Sequence, residues 1–111
     1  MMRGDIYLVD FEPSVGAEIR KVRPALIISC NEANRHLKTI MVIPFTSNVA
    51  CIYPFEVLIS KSQSGLEQDS KIKIPQMRAV DRSRLKKYVG ALPDETMVLV
   101  EKAIKLHLSI E

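Results

Sequence analysis

The run Lys21-Val22-Arg23-Pro24-Ala25-Leu26-Ile27-Ile28-Ser29 most constrains the fold, because charge gives way within a few residues to unbroken apolar character. An apolar run bounded by polar residues reads as a strand buried on both faces. Pro24 lacks an N–H and fixes its φ, which assigns it to the first position of that strand. It also holds Arg23 extended. A guanidinium is thereby fixed at the mouth of a core strand, where its charge cannot be buried unpaired. An arginine so placed suits a phosphate. Taken alone, the stretch reads more simply as a strand start with a surface arginine.

The surrounding chain bounds what that strand belongs to. The 111 residues suit one domain, 1–111, with one core. No apolar run approaches the length of a membrane span, and no signal-peptide pattern opens the chain, so a cytoplasmic protein is expected. Cys30 and Cys51 lack metal or redox spacing and are expected to be reduced, behaving as small hydrophobes. A net charge of +3 permits an anionic partner without demanding one.

Read in order, Ile6–Phe11 is a strand, apolar on both parities. Residues 12–21 contain Pro13, Ser14 and Gly16 and form a loop of about ten residues, longer than a hairpin's usual ~2–5. It carries Glu18, Arg20 and Lys21 directly ahead of Arg23. Cys30–His36 is a polar turn with room for one helical turn. Lys38–Phe45 is the next strand, with Thr39, Met41, Ile43 and Phe45 on one face, and Thr46-Ser47-Asn48 caps it with small polar groups. Tyr53 to Ser60 alternates as a half-buried strand, Lys61–Ser70 is loop, and Lys71–Ile74 alternates with its lysines outward. Arg78–Lys87 holds five basic residues and one acid, with a helical turn near Asp81–Leu85, and a strand follows at Tyr88–Leu92. Such a charge run is usually a solvated face, and it is also the most basic surface available to a nucleic acid. Pro93 suits the first position of a helix, with Asp94 and Glu95 at its positive end. Met97, Val100, Ile104 and Leu108 give that helix an apolar stripe. His107 belongs on its surface. Five or six short strands and one helix make a mainly β (α+β) fold, a small antiparallel barrel with a C-terminal helix.

The motif content excludes more than it selects. HExxH, CxxC and His-rich clusters are absent, so no metal and no cofactor is expected. There is no Gly-rich phosphate loop and no GxSxG elbow. What remains is Arg23 and Thr46 at two strand ends beside a charged loop. Brought to one rim, a fixed cation and a hydroxyl would hold a phosphate.

Several segments together resemble the MazF/PemK family of bacterial toxin endoribonucleases. They are Arg3–Asp10, Val15–Glu18, Arg23–Ser29, Pro44–Ser47, Asp69-Ser70 and Gln76–Leu85, in the family's order along nearly the whole chain. The resemblance implies an SH3-like barrel that forms a homodimer. It implies metal-independent cleavage of single-stranded RNA by 2′-OH attack, and inhibition by an antitoxin protein. It places the family's key arginine on Arg23, its key threonine on Thr46 and its first-loop Gly-x-Glu on Gly16 and Glu18. Arg23, Thr46 and Glu18 are therefore the expected catalytic residues. Gly16, Arg20, Lys21, Ser47, Gln76, Arg78, Arg82, Arg84 and Lys86 are the expected RNA contacts. Phe11 or Tyr53 would serve for base stacking, although both suit the core better, and His36 is a conceivable acid. Two positions depart from the family: Ile19 replaces a frequent Gln, and Pro75 stands where some relatives carry an acid. A different class of function is a non-catalytic SH3-like binding module, or a toxin acting on a protein such as a topoisomerase. Retention of both Arg23 and Thr46 favours the ribonuclease.

Overall fold

The first three strands are apolar on both parities because the sheet they form is covered on both faces. In the computed structural model, which describes residues 1–111, β1 (Asp5–Asp10), β2 (Val22–Ile27) and β3 (Thr39–Thr46) lie side by side and antiparallel. Ile6, Leu26, Ile43 and Phe45 face one core, which the C-terminal helix α3 (Asp94–Leu108) closes with Met97, Val100 and Ala103. Ala25, Ile27, Ile40 and Val42 face a second core with Val9, Phe11 and Val80, and Ile19 of the β1–β2 loop packs against it.

Four more strands complete the sheet: β4 (Glu56–Ile59), β5 (Ser70–Lys73), β6 (Arg78–Asp81) and β7 (Leu85–Ala91). The order is β4-β5-β3-β2-β1-β7, and β6 also pairs with β3. The eight residues of β3 divide one edge between two partners: Thr39–Val42 pair with β6, and Phe45-Thr46 pair with β5. The result is an open antiparallel sheet of seven strands with a C-terminal helix, curled barrel-like in its strand order but not closed.

Several expectations need correction. Pro24 is the third residue of β2, opposite Leu8 and just before the first β2–β3 pair, Ala25↔Pro44. Both faces of β3 are buried over residues 42–45, so its apolar face is not confined to one parity. The Tyr53–Ser60 strand begins only at Glu56; Tyr53 and Phe55 lie exposed in the preceding loop. The basic run contains a strand, β6, ahead of its helical turn at Arg82–Arg84. Residues 61–64 form one short helix, α2, and Asn31–His36 form another, α1. The stripe of α3 includes Thr96, Met97, Val100 and Ala103, while Leu108 is exposed. Both cysteines are free but exposed, so neither acts as a buried hydrophobe.

Helix α2 docks tightly on β7. A Cβ added at Gly90 would lie 2.8 Å from the carbonyl oxygen of Ser64. Only a glycine lets the two backbones approach so closely. No helix is long and apolar enough to cross a membrane.

Candidate functional site

Antiparallel register brings the two strand ends together. Ala25 stands opposite Pro44, and continuing that pairing by two residues sets Arg23 against Thr46. Directly opposed residues share one face of a sheet. Both line a cleft of about 610 Å³ with Lys21, Ser47, Lys87 and Tyr88, and its far wall is the Gly65–Gln68 loop after α2. The ionic groups in this lining are Lys21, Arg23 and Lys87 against Glu67 alone. Such a cleft attracts an anion.

Arg23 is half-buried and held at its root, where Nε donates to the carbonyl of Arg20 at 2.8 Å. No carboxylate pairs with it; the two ion pairs of the chain are Arg3–Glu101 and Lys71–Glu56. Its terminal nitrogens therefore remain free to fork onto a phosphate. Thr46 Oγ1 accepts the N–H of Asn48 at 3.3 Å, which leaves its own proton to donate. Ser47 is exposed beside it.

The loop between β1 and β2 is shaped by its own hydrogen bonds. Gly16 adopts φ 59° and Lys21 φ 69°, and left-handed backbone at a lysine costs roughly 1–2 kcal/mol. The Lys21 N–H donates to Glu12 Oε2 at 2.9 Å, and the Phe11 N–H donates to the Lys21 carbonyl at 3.0 Å. The hydrogen bond from Lys21 to Glu12 is the main reason that carboxyl sits below its ordinary range. Glu18 Oε1 accepts the Val15 N–H at 2.6 Å. Glu18 lies in a second cleft of about 440 Å³ with Ala17, Ile19, Pro75, Gln76, Met77 and Arg78. The structure thus joins Arg23, Thr46, Lys21 and Ser47, and sets Glu18, Gln76 and Arg78 in a neighbouring recess. Exposed Gly16 and Arg20 lie on the same loop, one before Glu18 and one after it.

The basic run divides differently. Arg82 Nε donates to the Leu37 carbonyl at 2.8 Å, and Lys86 Nζ to that of Ser83 at 3.1 Å. Arg84 Nη1 donates to the carbonyls of Asp10 and Glu12, bracing the start of the loop. Of the run, Lys87 alone enters the larger cleft. Arg78 lies over the buried ring of Phe11, 6.0 Å from its centroid. His36 is exposed on α1.

Two features escaped sequence reasoning. The far wall, Gly65–Gln68, had no signal beyond polar loop composition. The other is Lys71, expected outward but only 7% exposed. Its Nζ donates to Glu56 Oε1 at 3.0 Å and to the Cys51 carbonyl at 2.7 Å, and lies 5.8 Å from the ring centroid of Tyr53. Burial pushes the Glu56 carboxyl up, but the Tyr53 N–H and the Lys71 ammonium outweigh it and hold the group below its ordinary value. A hydrogen bond to the Cys51 thiol leads the causes that raise the Tyr53 hydroxyl. The β3–β4 loop, which starts at Ser47, is stapled to β5 through this cluster.

Residues 2–108 match the family model of the PemK-like, MazF-like toxin of type II toxin–antitoxin systems. The chain is 36% identical over 115 residues to endoribonuclease MazF9 of Mycobacterium tuberculosis, covering 99% of this chain and 98% of that protein. It is 36% identical over 109 residues to endoribonuclease EndoA of Bacillus subtilis, covering 97% and 94% respectively. Among solved structures, MazE–MazF (form II) from Deinococcus radiodurans superposes with a TM-score of 0.80 at 25% identity, covering 100% of this chain and 97% of that one.

Proposed function

Because the chain belongs to the PemK-like, MazF-like toxins of type II toxin–antitoxin systems, we propose that its Arg23–Thr46 cleft cleaves single-stranded RNA at short sequences without a metal ion. The protein is an endoribonuclease toxin, with RNA as substrate and an antitoxin as protein partner. Action on a topoisomerase, or binding without catalysis, is not favoured.

The observation that carries the reading is the opposition of an arginine without a carboxylate partner and a threonine with a free proton, in one cationic cleft. In the proposed reaction the ribose 2′-OH attacks the adjacent phosphorus, the bond to O5′ breaks, and a 2′,3′-cyclic phosphate and a 5′-OH result. The 2′-OH loses its proton to a base, and O5′ gains one as it leaves. Arg23 neutralises the charge that builds on the non-bridging oxygens. Thr46 donates a second hydrogen bond there, and Lys21 and Ser47 hold the flanking backbone. Guanidinium stays protonated near neutrality, so Arg23 is no base. The Glu18 carboxylate, bonded to Val15 and facing the second recess, is better suited to reading a nucleobase or shaping the loop than to taking the 2′-OH proton. Gly16 and Arg20 lie on the β1–β2 loop that runs past both recesses, Gln76 and Arg78 line the second one, and Arg82, Arg84 and Lys86 would add positive potential around them. We further assign residues 1–111 to a single toxin domain that acts in the cytoplasm as a symmetric homodimer.

The test is incubation of the purified protein with mixed-sequence RNA in EDTA, followed by analysis of product ends. Cyclic phosphate and 5′-OH ends are expected. A strict requirement for added Mg²⁺, or 5′-phosphate ends, overturns the reading.

A further inference from the structure

Gln76 does something other than wait for RNA. It ends the 3₁₀ turn Ile74–Gln76, whose second residue is Pro75. Its side-chain amide grips the backbone of the β1–β2 loop twice. Oε1 accepts the Ile19 N–H at 3.2 Å, and Nε2 donates to the Ala17 carbonyl at 3.3 Å. The primary amide imitates a strand partner, one acceptor and one donor matched to a peptide's donor and acceptor. Between the two gripped groups lies Glu18, whose carboxylate folds back on Val15. The side chain of Ile19 packs on the second core beneath. The carbonyl of the residue after Ile19, Arg20, is the one that accepts Arg23 Nε.

We infer that Gln76 is a positioning residue for Arg23, acting through the loop segment Ala17–Arg20. A guanidinium on a flexible stem has many rotamers, and fixing Nε selects those that aim its two terminal nitrogens into the cleft. That fixation is only as good as the placement of the Arg20 carbonyl. Arg20 is exposed, so the placement of its backbone depends on its neighbours. On its C-terminal side, Lys21 is tied to Glu12 and Phe11. On its N-terminal side, the ties to the body of the fold are the Gln76 amide and the Ile19 side chain. An isoleucine at position 19 thus anchors the loop by packing, and the amide sets its height over the sheet. The loop takes one donor and one acceptor of the Gln76 amide. A misplacement of about 1 Å in a reacting geometry can lower a rate by roughly 10²-fold, so a residue that never touches RNA can govern turnover.

This inference rests on the Arg23-centred reading, and its test separates the two. The first measurement needs no RNA. In an NMR spectrum of the arginine side chains, the Nε–H of Arg23 should exchange slowly with water in the native protein and quickly in Gln76→Ala. The second is kinetic. Gln76→Ala should lower kcat by about 10–10²-fold with KM little changed, while circular dichroism remains native. Gln76→Glu keeps the acceptor for Ile19 and loses the donor to Ala17, so it should recover part of the loss and provides a readout if Gln76→Ala fails to fold. The double variant Arg23→Ala, Gln76→Ala should be no slower than Arg23→Ala alone, because groups that act as a unit are not additive. A raised KM at unchanged kcat would make Gln76 a direct RNA contact and overturn the proposal. So would an Arg23 Nε–H that exchanges slowly in both variants. If Arg23→Ala itself cuts at the native rate, the Arg23 reading fails, and the exchange measurement still decides whether Gln76 holds that side chain.

Discussion

Arg23 and Lys71 flank the same threonine and lead opposite lives. Thr46 pairs with Lys71 on the β5 side, and the β2–β3 register continued by two residues sets it against Arg23 on the other, which puts the three in one row on one face of the sheet. Lys71 reaches back under its loop to a carboxylate and a carbonyl, and is nearly excluded from water. Arg23 has a carbonyl at its root and no carboxylate at its tip. The chain thus buries one cation with its counter-charge and leaves the other half-open over a cleft. The lesson is that a cation becomes a site when its solvation is left incomplete. Breaking the pair at Lys71 should damage the fold, and removing Arg23 should damage only the chemistry.

The largest expected effect is on stability. Lys71→Ala leaves the Glu56 carboxylate without its counter-charge and with only the Tyr53 N–H, and breaking a buried ion pair typically destabilises by about 3–5 kcal/mol. Urea unfolding should show it as a lowered midpoint. A midpoint equal to the native one would remove Lys71 from the structural side of the comparison.

Arg23→Ala comes next. The rate of RNA cleavage should fall by about 10²–10³-fold, with an unfolding midpoint close to native. Thr46→Ala should lose less, since a neutral donor is weaker than a charged one. Native cleavage by Arg23→Ala would dissolve the contrast from the other side.

Acid should act on Lys71's partner. The Glu56 carboxyl lies below its ordinary value of 4.5 in the folded state. A depressed carboxyl stabilises the fold fully above its unfolded value, and that contribution is lost as pH falls through the folded one. Stability should therefore decline below about pH 4.5, and less steeply in Glu56→Gln. Glu12 and Asp81 shift in the same direction, so the difference between native protein and Glu56→Gln is the measurement that counts. An identical acid slope in both would show that the pair carries no linkage.

The smallest effect lies in salt dependence. RNA binding should weaken with salt at a log–log slope of about −0.7 per phosphate neutralised. Charge reversal at Lys21 or Lys87, which line the cleft, should flatten that slope. Reversal at Arg82 should change it less, because its Nε already serves the Leu37 carbonyl. Equal changes at all three would spread the binding surface over the whole basic run.

Much of this was legible along the chain, and the exceptions share a cause. The apolar run at Ala25–Ile27 announced a strand covered on both faces, since only burial on both faces makes both parities apolar, whereas the Lys38–Phe45 pattern pointed to one apolar face and the structure covers both over residues 42–45. The Arg23-Pro24 step pointed to an arginine at a strand start, but the strand opens earlier, at Val22, and the Arg20 carbonyl rather than the proline holds the guanidinium. Lys71 misled because alternation with Ile72 and Ile74 looks the same whether the lysine meets water or a glutamate fifteen residues away. Strand β6 was hidden by its charges, because Arg78 and Asp81 occur equally on a solvated turn. Gln76 was visible as a family residue, but its hold on Ala17 and Ile19 spans nearly sixty positions. Local pattern reports which side chains are apolar and how they repeat. It does not report which polar groups have found each other.

Gly90 carries a consequence at the level of populations. A culture made to express this toxin without its antitoxin is a selection experiment, and its survivors are a map of what the molecule cannot lose. Under the proposed mechanism, Arg23 belongs on that map for its chemistry. Gly90 belongs there for want of room: every missense codon at that position adds at least a Cβ, 2.8 Å from the Ser64 carbonyl oxygen. Helix α2 must then lift from β7, and the Gly65–Gln68 wall of the cleft moves with it. Survivor genomes should record that glycine as a vulnerable point although it offers no functional group, its absence of a side chain being the trait under selection.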